Sequence, residues 1–294
     1  MYRSRARGRV VDRYDRQTAL PEVGEDGQAR LAASTVVIVG VGALGSIEAE
    51  LLARAGVGHL VFIDPDVVEE SNLQRQALYT EQDLGKHKAE AAKRHVLAIN
   101  STITVTAIVD RLDAVTLSLL EKADVVLDGT DNFATRYLMN ERCRNASIPC
   151  VFVMVAADRG SLFVSRPGGP CLVCALGERS IKEDAGTAGI LNMTTHLAGT
   201  LAAFEAMKLL LGETRSVSST GAATATSASD GVYQEVRAGG VAPSGGDPHF
   251  SSPHHKSERR VAVTAGMLFS FGLFDGRFDR LIVPARQDCP VCKK

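Results

Sequence analysis

The chain is 294 residues long, 45% hydrophobic and 23% charged, with a formal net charge of −1. That balance excludes a wholly disordered polymer, and at roughly 100–200 residues per domain it allows one large domain or two small ones. Near-neutral charge speaks against nucleic acid as the main partner, and no apolar run approaches the ~18–20 residues that cross a bilayer, so neither nucleic acid nor a membrane is an expected partner. The basic start, MYRSRARGRV, has no apolar stretch behind it. A secretory signal is therefore not expected, and a cytoplasmic location is.

In chain order, Thr35 to Gly40 (TVVIVG) is a β-branched apolar run that predicts a buried parallel strand ending in a glycine-rich turn. Ile47 to Ala55 is rich in Ala, Leu and Glu up to Gly56 and predicts a helix; His59 to Asp64 predicts the next strand. Helices are expected near 86–99, 114–120 and 134–145, and strands near 102–109, 125–128 and 150–155. This alternation predicts an α/β, Rossmann-like, mostly parallel sheet with helices on both faces. After Val155 the pattern changes to a short strand (SLFVS), a Pro/Gly turn and a long helix over about 193–211. Residues 216–258 are dominated by Ser, Thr, Ala and Gly and read as a flexible insert whose middle, GVYQEVR, has strand character. The tail returns to strand-like patterning, so some antiparallel strands are expected there. The division expected is an N-terminal arm and helix (1–30), a nucleotide-binding domain (31–215), the insert (216–258) and a C-terminal segment (259–294) packed on the domain.

Gly40, Gly42 and Gly45 form a GxGxxG between a strand and a helix, where backbone amides and the helix dipole face a phosphate. Asp64 ends the next strand, suited to ribose hydroxyls. The plainer reading is a turn made tight for helix–strand packing. Arg75, Lys88 and Asp131 add what a triphosphate needs beyond that turn, cations and a carboxylate for Mg²⁺. Taken singly, the two cations read as solvated surface charges and Asp131 as an N-cap for the helix near Phe133. Cys171/Cys174 and Cys289/Cys292 form two CxxC pairs, the ligand set of a tetrahedral structural Zn²⁺ that would tie the tail to the body. A redox CxxC is the competing reading, weakened because neither pair is expected to open a helix after a strand. Cys143 and Cys150 read as buried packing, His196 as a packed or capped helix residue, and the N-terminal arginines as a solvated arm.

Taken together, RYDRQ (13–17), GVGALGS, IDPDVVEESNLQRQ, GKHKAE, VLDGTDNFATRYLMN, GPCLVC and the terminal CPVC resemble, in order and spacing, the ThiF/MoeB/HesA family. These adenylating enzymes are similar to the adenylation domain of ubiquitin-activating enzymes. The resemblance implies MgATP-dependent adenylation of the C-terminal glycine carboxylate of a ubiquitin-like or sulfur-carrier protein ending in Gly-Gly, with release of pyrophosphate. It places Gly40, Gly42, Gly45, Asp66, Ser71, Gln76 and Asn132 around the nucleotide and Asp64 on the ribose. Asn72, Arg75 and Lys88 fall on the phosphates and Asp131 on Mg²⁺. It also implies a homodimer in which Arg16 reaches the partner subunit's site, and the four-cysteine zinc site.

One departure stands out. Many relatives carry a cysteine in the loop after the first CxxC, whereas SIKEDAGTAG here has Lys182 in that region and no cysteine lies between Cys174 and Cys289. The expectation is that the reaction stops at the acyl-adenylate or passes it directly to a separate sulfurtransferase or another nucleophile. Two rivals remain: an NAD(P)-dependent oxidoreductase, which shares the glycine turn and Asp64, and a non-catalytic carrier-binding pseudo-enzyme.

Overall fold

The computed structural model describes residues 5–6, 9–10, 12–113, 115–177, 189–212, 234–236 and 265–292. The N-terminal arm forms a two-strand pairing, β1 (Arg5–Ala6) with β2 (Arg9–Val10), before helices α1 (Asp15–Thr18) and α2 (Gly24–Ala33). Alternation follows through β3 (Thr35–Val39), α3 (Gly45–Ala55), β4 (His59–Ile63), α4 (Lys88–Ile99), β5 (Thr104–Ile108), α5 (Leu117–Leu120), β6 (Val125–Asp128), α6 (Phe133–Asn145) and β7 (Cys150–Ala156). Then come β8 (Arg159–Ser165), α7 (Leu172–Leu176), α8 (Asn192–Leu210), β9 (Gln234–Val236), β10 (Ala265–Gly272) and β11 (Arg277–Pro284).

A nine-stranded sheet has the order β5-β4-β3-β6-β7-β8-β10-β11-β9. From β5 to β7 the neighbours are parallel, and from β7 onward they are antiparallel. The parallel core and antiparallel C-terminal strands match the expected fold class. Strand character in GVYQEVR is borne out at β9, and the rest of 216–258 lies outside the described residues.

β3 reads as a continuous apolar run because both of its faces are covered. Val36 and Ile38 join a core with α3, α4 and α8, while Val37 and Val39 join a second core with α6 and α7 on the opposite face. The side-chain alternation of a strand thus feeds two layers from five residues. The fold's switch point lies between β3 and β6: the chain runs from β3 out to β4 and β5, then returns to β6 on the other side of β3. In an open α/β sheet, ligands bind in the crevice at the carboxyl ends of such strands. Among the described residues no helix is long and apolar enough to cross a membrane.

Candidate functional site

Three glycines make the crevice by letting backbones touch. A Cβ on Gly45 would lie 2.0 Å from the Gly40 carbonyl oxygen, and one on Gly129, just after β6, would lie 2.1 Å from the same atom. Gly40 itself has φ +82°, in the left-handed region. Gly42 differs: a Cβ there would meet only Gln76 Nε2, at 3.7 Å. Packing explains the first, third and post-β6 glycines, while nothing among the described residues requires a glycine at 42. Its bare backbone fits close approach by a phosphate.

Asp64, buried at the end of β4, fixes the turn from below. One carboxyl oxygen accepts the Val41 amide and the other the Asp66 amide, each at 2.8 Å. Burial raises its pKa, and the Asp66 amide, the Lys88 charge and the Val41 amide only partly offset that. Tyr79, which the sequence reading passed over, donates its hydroxyl to the Val41 carbonyl at 2.7 Å and so pins the same residue from the other side.

The segment after β4 brings in the cations. Asn72 is buried and accepts the Glu69 amide at 3.2 Å, closing the short turn Glu70–Asn72. Arg75, half-buried, donates to the Ser71 carbonyl at 2.8 Å. Lys88 is buried at the start of α4, with Nζ 3.0 Å from the exposed Asp66 carboxylate. It is therefore no freely solvated surface charge. Gln76 is buried with an Oε1 that has no hydrogen-bond partner among the described residues.

The loop after β6 separates a structural carboxylate from a presented one. Asp128 is fully buried and takes Arg136 Nε at 2.7 Å and the Thr130 hydroxyl at 2.6 Å and amide at 3.0 Å. Arg136 also donates to the carbonyls of Thr130 (2.5 Å) and Val153 (2.9 Å). This buried, fully bonded pair locks the loop. Asn132, not Asp131, caps α6, accepting the Thr135 amide at 2.8 Å. That corrects the capping alternative for Asp131, which is exposed and has no partner among the described residues. Sequence reasoning named Asp128 in DGTDN but missed Arg136 and the pairing that makes Asp128 structural; the signal was an Asp at a strand end and an Arg eight residues on, at helical spacing from Phe133 and Met139.

Cys171, Cys174, Cys289 and Cys292 converge, their sulfurs all within 4.8 Å of one another. The separations are 4.0 Å (171–174), 3.5 Å (171–289) and 3.6 Å (174–292). Four sulfurs at the usual Zn–S length, set tetrahedrally, lie about 3.8 Å apart, so the donor set fits zinc. One expectation needs correcting: Cys171 is the N-cap of α7, so the first CxxC does open a short helix, whose Leu172 amide bonds Asn140 Oδ1 at 2.8 Å. Each pair also meets the other, Cys171 with Cys289 and Cys174 with Cys292, an arrangement that suits four ligands around one ion better than two separate redox pairs. Cys143 and Cys150 are buried, as expected, and His196 caps back onto the Asn192 carbonyl at 2.8 Å.

RYDRQ splits into a clamp and a free arginine. Arg13 donates to the Ile99 carbonyl at 2.8 Å, closing the end of α4. Gln17 donates to the Ala55 carbonyl at 2.9 Å, at the end of α3. Tyr14 packs on Gly56, where a Cβ would lie 2.5 Å from the ring, and accepts Asn100 Nδ2 at 2.8 Å. Arg16 is exposed and has no partner among the described residues. α3 is 11 residues long. At 1.5 Å per residue α3 is about 16 Å long, and Tyr14 and Gln17, on either side of Arg16 in the chain, sit at its end away from the glycine turn.

The chain is 42% identical over 207 residues to the SAMP-activating enzyme E1 of Haloferax volcanii, covering 69% of this chain and 77% of that protein. It is 39% identical over 209 residues to the sulfur carrier protein ThiS adenylyltransferase of Bacillus subtilis, covering 69% and 62%. With the adenylyltransferase and sulfurtransferase MOCS3 of Culex quinquefasciatus it shares 38% over 207 residues, and the match spans 47% of that longer protein. The crystal structure of E. coli MccB with ATP superposes with a TM-score of 0.70 at 22% identity, covering 96% of this chain and 74% of the other. At that identity the likeness bears on the fold alone. The ThiF family profile matches residues 14–242. Its span runs from the Tyr14 clamp through the glycine turn and the Asp131 loop to beyond α8, and the chain belongs to the ThiF family.

Proposed function

We propose that the protein uses MgATP to adenylate the C-terminal glycine carboxylate of a small ubiquitin-like or sulfur-carrier protein, forming an acyl-adenylate and releasing pyrophosphate. The observation that carries this reading is the crevice between β3 and β6. In support stand an unobstructed Gly42, the cations Arg75 and Lys88 on the segments after β4, and an Asp131 without a partner among the described residues while its neighbours Asp128 and Asn132 are engaged. A nicotinamide oxidoreductase would use the glycine turn and Asp64 but has no common purpose for the other three.

The terminal carboxylate is already ionised at neutral pH, so no strong base is required. The barrier is the approach of one anion to another. Arg75, Lys88 and the amides at the start of α3 neutralise the phosphates, with Asn72 beside them, and Asp131 would hold Mg²⁺, which supplies Lewis-acid charge neutralisation when bound. Asp64 and Tyr79 keep the glycine turn in shape during the displacement. Arg16 stands far from its own crevice, and we assign it to the crevice of a second copy, in a homodimer.

Every one of the six cysteines is placed: four in the zinc-fitting cluster and two buried in the core. Residues 1–294 therefore present no open thiol to take the acyl group, and its acceptor is a nucleophile from elsewhere, a separate sulfurtransferase among the candidates. Reduced thiolate ligands also suit the cytoplasm, where we place the protein. The test is ATP–pyrophosphate exchange against each Gly-Gly-ending protein of the same genome. Exchange that depends on one carrier and vanishes in Asp131→Ala is the expected result. Persistence in Asp131→Ala overturns the assigned role of Asp131, and ATP binding with no exchange for any carrier favours a non-catalytic carrier-binding protein.

A further inference from the structure

Glu48 has no part in the chemistry above, yet it lies directly behind it. It falls in the first turn of α3, three residues after Gly45. Gly45 faces the sheet, against the Gly40 carbonyl and Ile38, and helical spacing puts Glu48 on the same face. The residue is fully buried, and neither carboxyl oxygen has a hydrogen-bond partner among the described residues.

The surroundings offer no compensation. From β6, Asp128 presents like charge, and its own cation, Arg136, is committed to three acceptors; from β7 the buried Cys150 thiol, held protonated by burial and by Cys143, offers no positive charge. On α8, the buried hydroxyls of Thr194 and Thr195 go to the carbonyls of Ala157 and Asn192, and Lys208 goes to Glu205. Lys88 of α4 is held by Asp66, and Arg54 of α3 itself by Glu50. A carboxylate in such a place costs far more than a carboxylic acid. Burial first, then Asp128, pushes the Glu48 pKa well above its ordinary value.

We propose that Glu48 is a neutral carboxylic acid at neutral pH and a positioning residue for the nucleotide crevice, whose ionisation in alkaline solution unseats the first turn of α3 and weakens ATP binding. The step is a simple deprotonation, with the proton passing to solvent hydroxide. The charge left behind repels Asp128, which anchors the Asp131 loop, and destabilises the helix turn that crosses Gly40 and Gly129. The stability part stands on burial and missing partners alone, and the binding part rests on the crevice being an ATP site.

The experiment compares the full chain with Glu48→Gln and Glu48→Leu. Infrared difference spectra of wild type against Glu48→Gln at pH 7 are expected to show the carbonyl stretch of a protonated carboxyl; a carboxylate band there overturns the proposal. Thermal unfolding from pH 5 to 10 supplies the second readout. The folded form keeps its proton to higher pH than the unfolded chain, so wild-type stability falls as pH rises from the unfolded glutamate range through the folded pKa. Relative to Glu48→Gln the folded-to-unfolded ratio drops up to about tenfold per pH unit in that window. Parallel profiles overturn the proposal. If Glu48→Gln does not fold, Glu48→Leu serves as the uncharged reference in both measurements. ATP binding by isothermal calorimetry is expected to weaken tenfold or more in wild type from pH 7 to 10 while staying level in the variant. ATP binding that follows one pH course in both proteins overturns the positioning role. No ATP binding by either at pH 7 refutes the site reading and leaves the spectroscopic test standing.

Discussion

Two carboxylates three residues apart, Asp128 and Asp131, show how environment assigns roles. Asp131→Ala removes an exposed group without a partner among the described residues, so stability should stay within about 0.5 kcal/mol of wild type while pyrophosphate exchange is lost. Asp128→Ala instead leaves Arg136 buried without its carboxylate. A broken buried pair costs about 3–5 kcal/mol, which chemical denaturation would register as a large fall in midpoint. Asp83 gives a pH prediction of the opposite sign to that for Glu48. Burial raises its pKa, but hydrogen bonds from His95 and from the Thr80 amide and hydroxyl prevail and hold it well below the usual carboxylate range; Arg94 also bonds it. A depressed folded pKa means stability that is present above the unfolded value of about 4 and lost as pH falls through the folded one. Asp83→Asn should therefore be less stable than wild type at pH 7, by about 1–3 kcal/mol, with the gap closing on acidification toward pH 2, as followed by denaturant titration.

At the scale of elements, the glycine turn and the helix it opens can be separated experimentally. Gly45→Ala drives a methyl into the Gly40 carbonyl and should lower Tm sharply. Gly42→Ala meets only Gln76 and should fold normally yet lose the thermal shift that ATP confers. Asn132→Ala removes the α6 cap at a cost of about 1 kcal/mol and frees the Asp131 loop, so its KM for ATP should rise more than its kcat falls. Much of this level was legible in the amino-acid string. TVVIVG could only be a strand covered on both faces, and the breaker at Gly56 ends α3, with φ +86°. The misses have physical reasons. α7 is a five-residue helix whose start depends on Asn140, 32 residues upstream, capping the Leu172 amide, a tertiary contact that periodicity does not record. Glu48 carried no signal because a glutamate in a helix rich in Ala, Leu and Glu does not show which face the sheet closes.

For the whole molecule, the change at β7 from parallel to antiparallel pairing divides the sheet into a nucleotide half and a half whose last strands precede the second CxxC. Both cysteine pairs were visible in the sequence, but their convergence depends on β10 pairing with β8 and β11 with β10. If zinc fastens that end, Cys289→Ser or exhaustive chelation should lower Tm by roughly 5–10 °C, for a loss of about 3 kcal/mol. Proteolysis should then cut first within 265–292. A stoichiometry well below one zinc per chain in protein purified without chelator would sink this reading.

The RYDRQ clamp carries a consequence that reaches beyond a single subunit. Arg13, Tyr14 and Gln17 are spent on the ends of α3 and α4, so Arg16 is presented by a rigid base at the end of the molecule away from its own glycine turn. If its duty lies in a second copy, two inactive variants should rescue each other. Arg16→Ala and Asp131→Ala, each nearly dead alone, would on subunit exchange form hybrids in which one crevice combines an intact Asp131 with an intact Arg16. Random pairing of equal amounts returns about a quarter of wild-type exchange activity. Complementation of that size would show in one assay both that the enzyme works as a pair and that its catalytic unit is drawn across the subunit boundary.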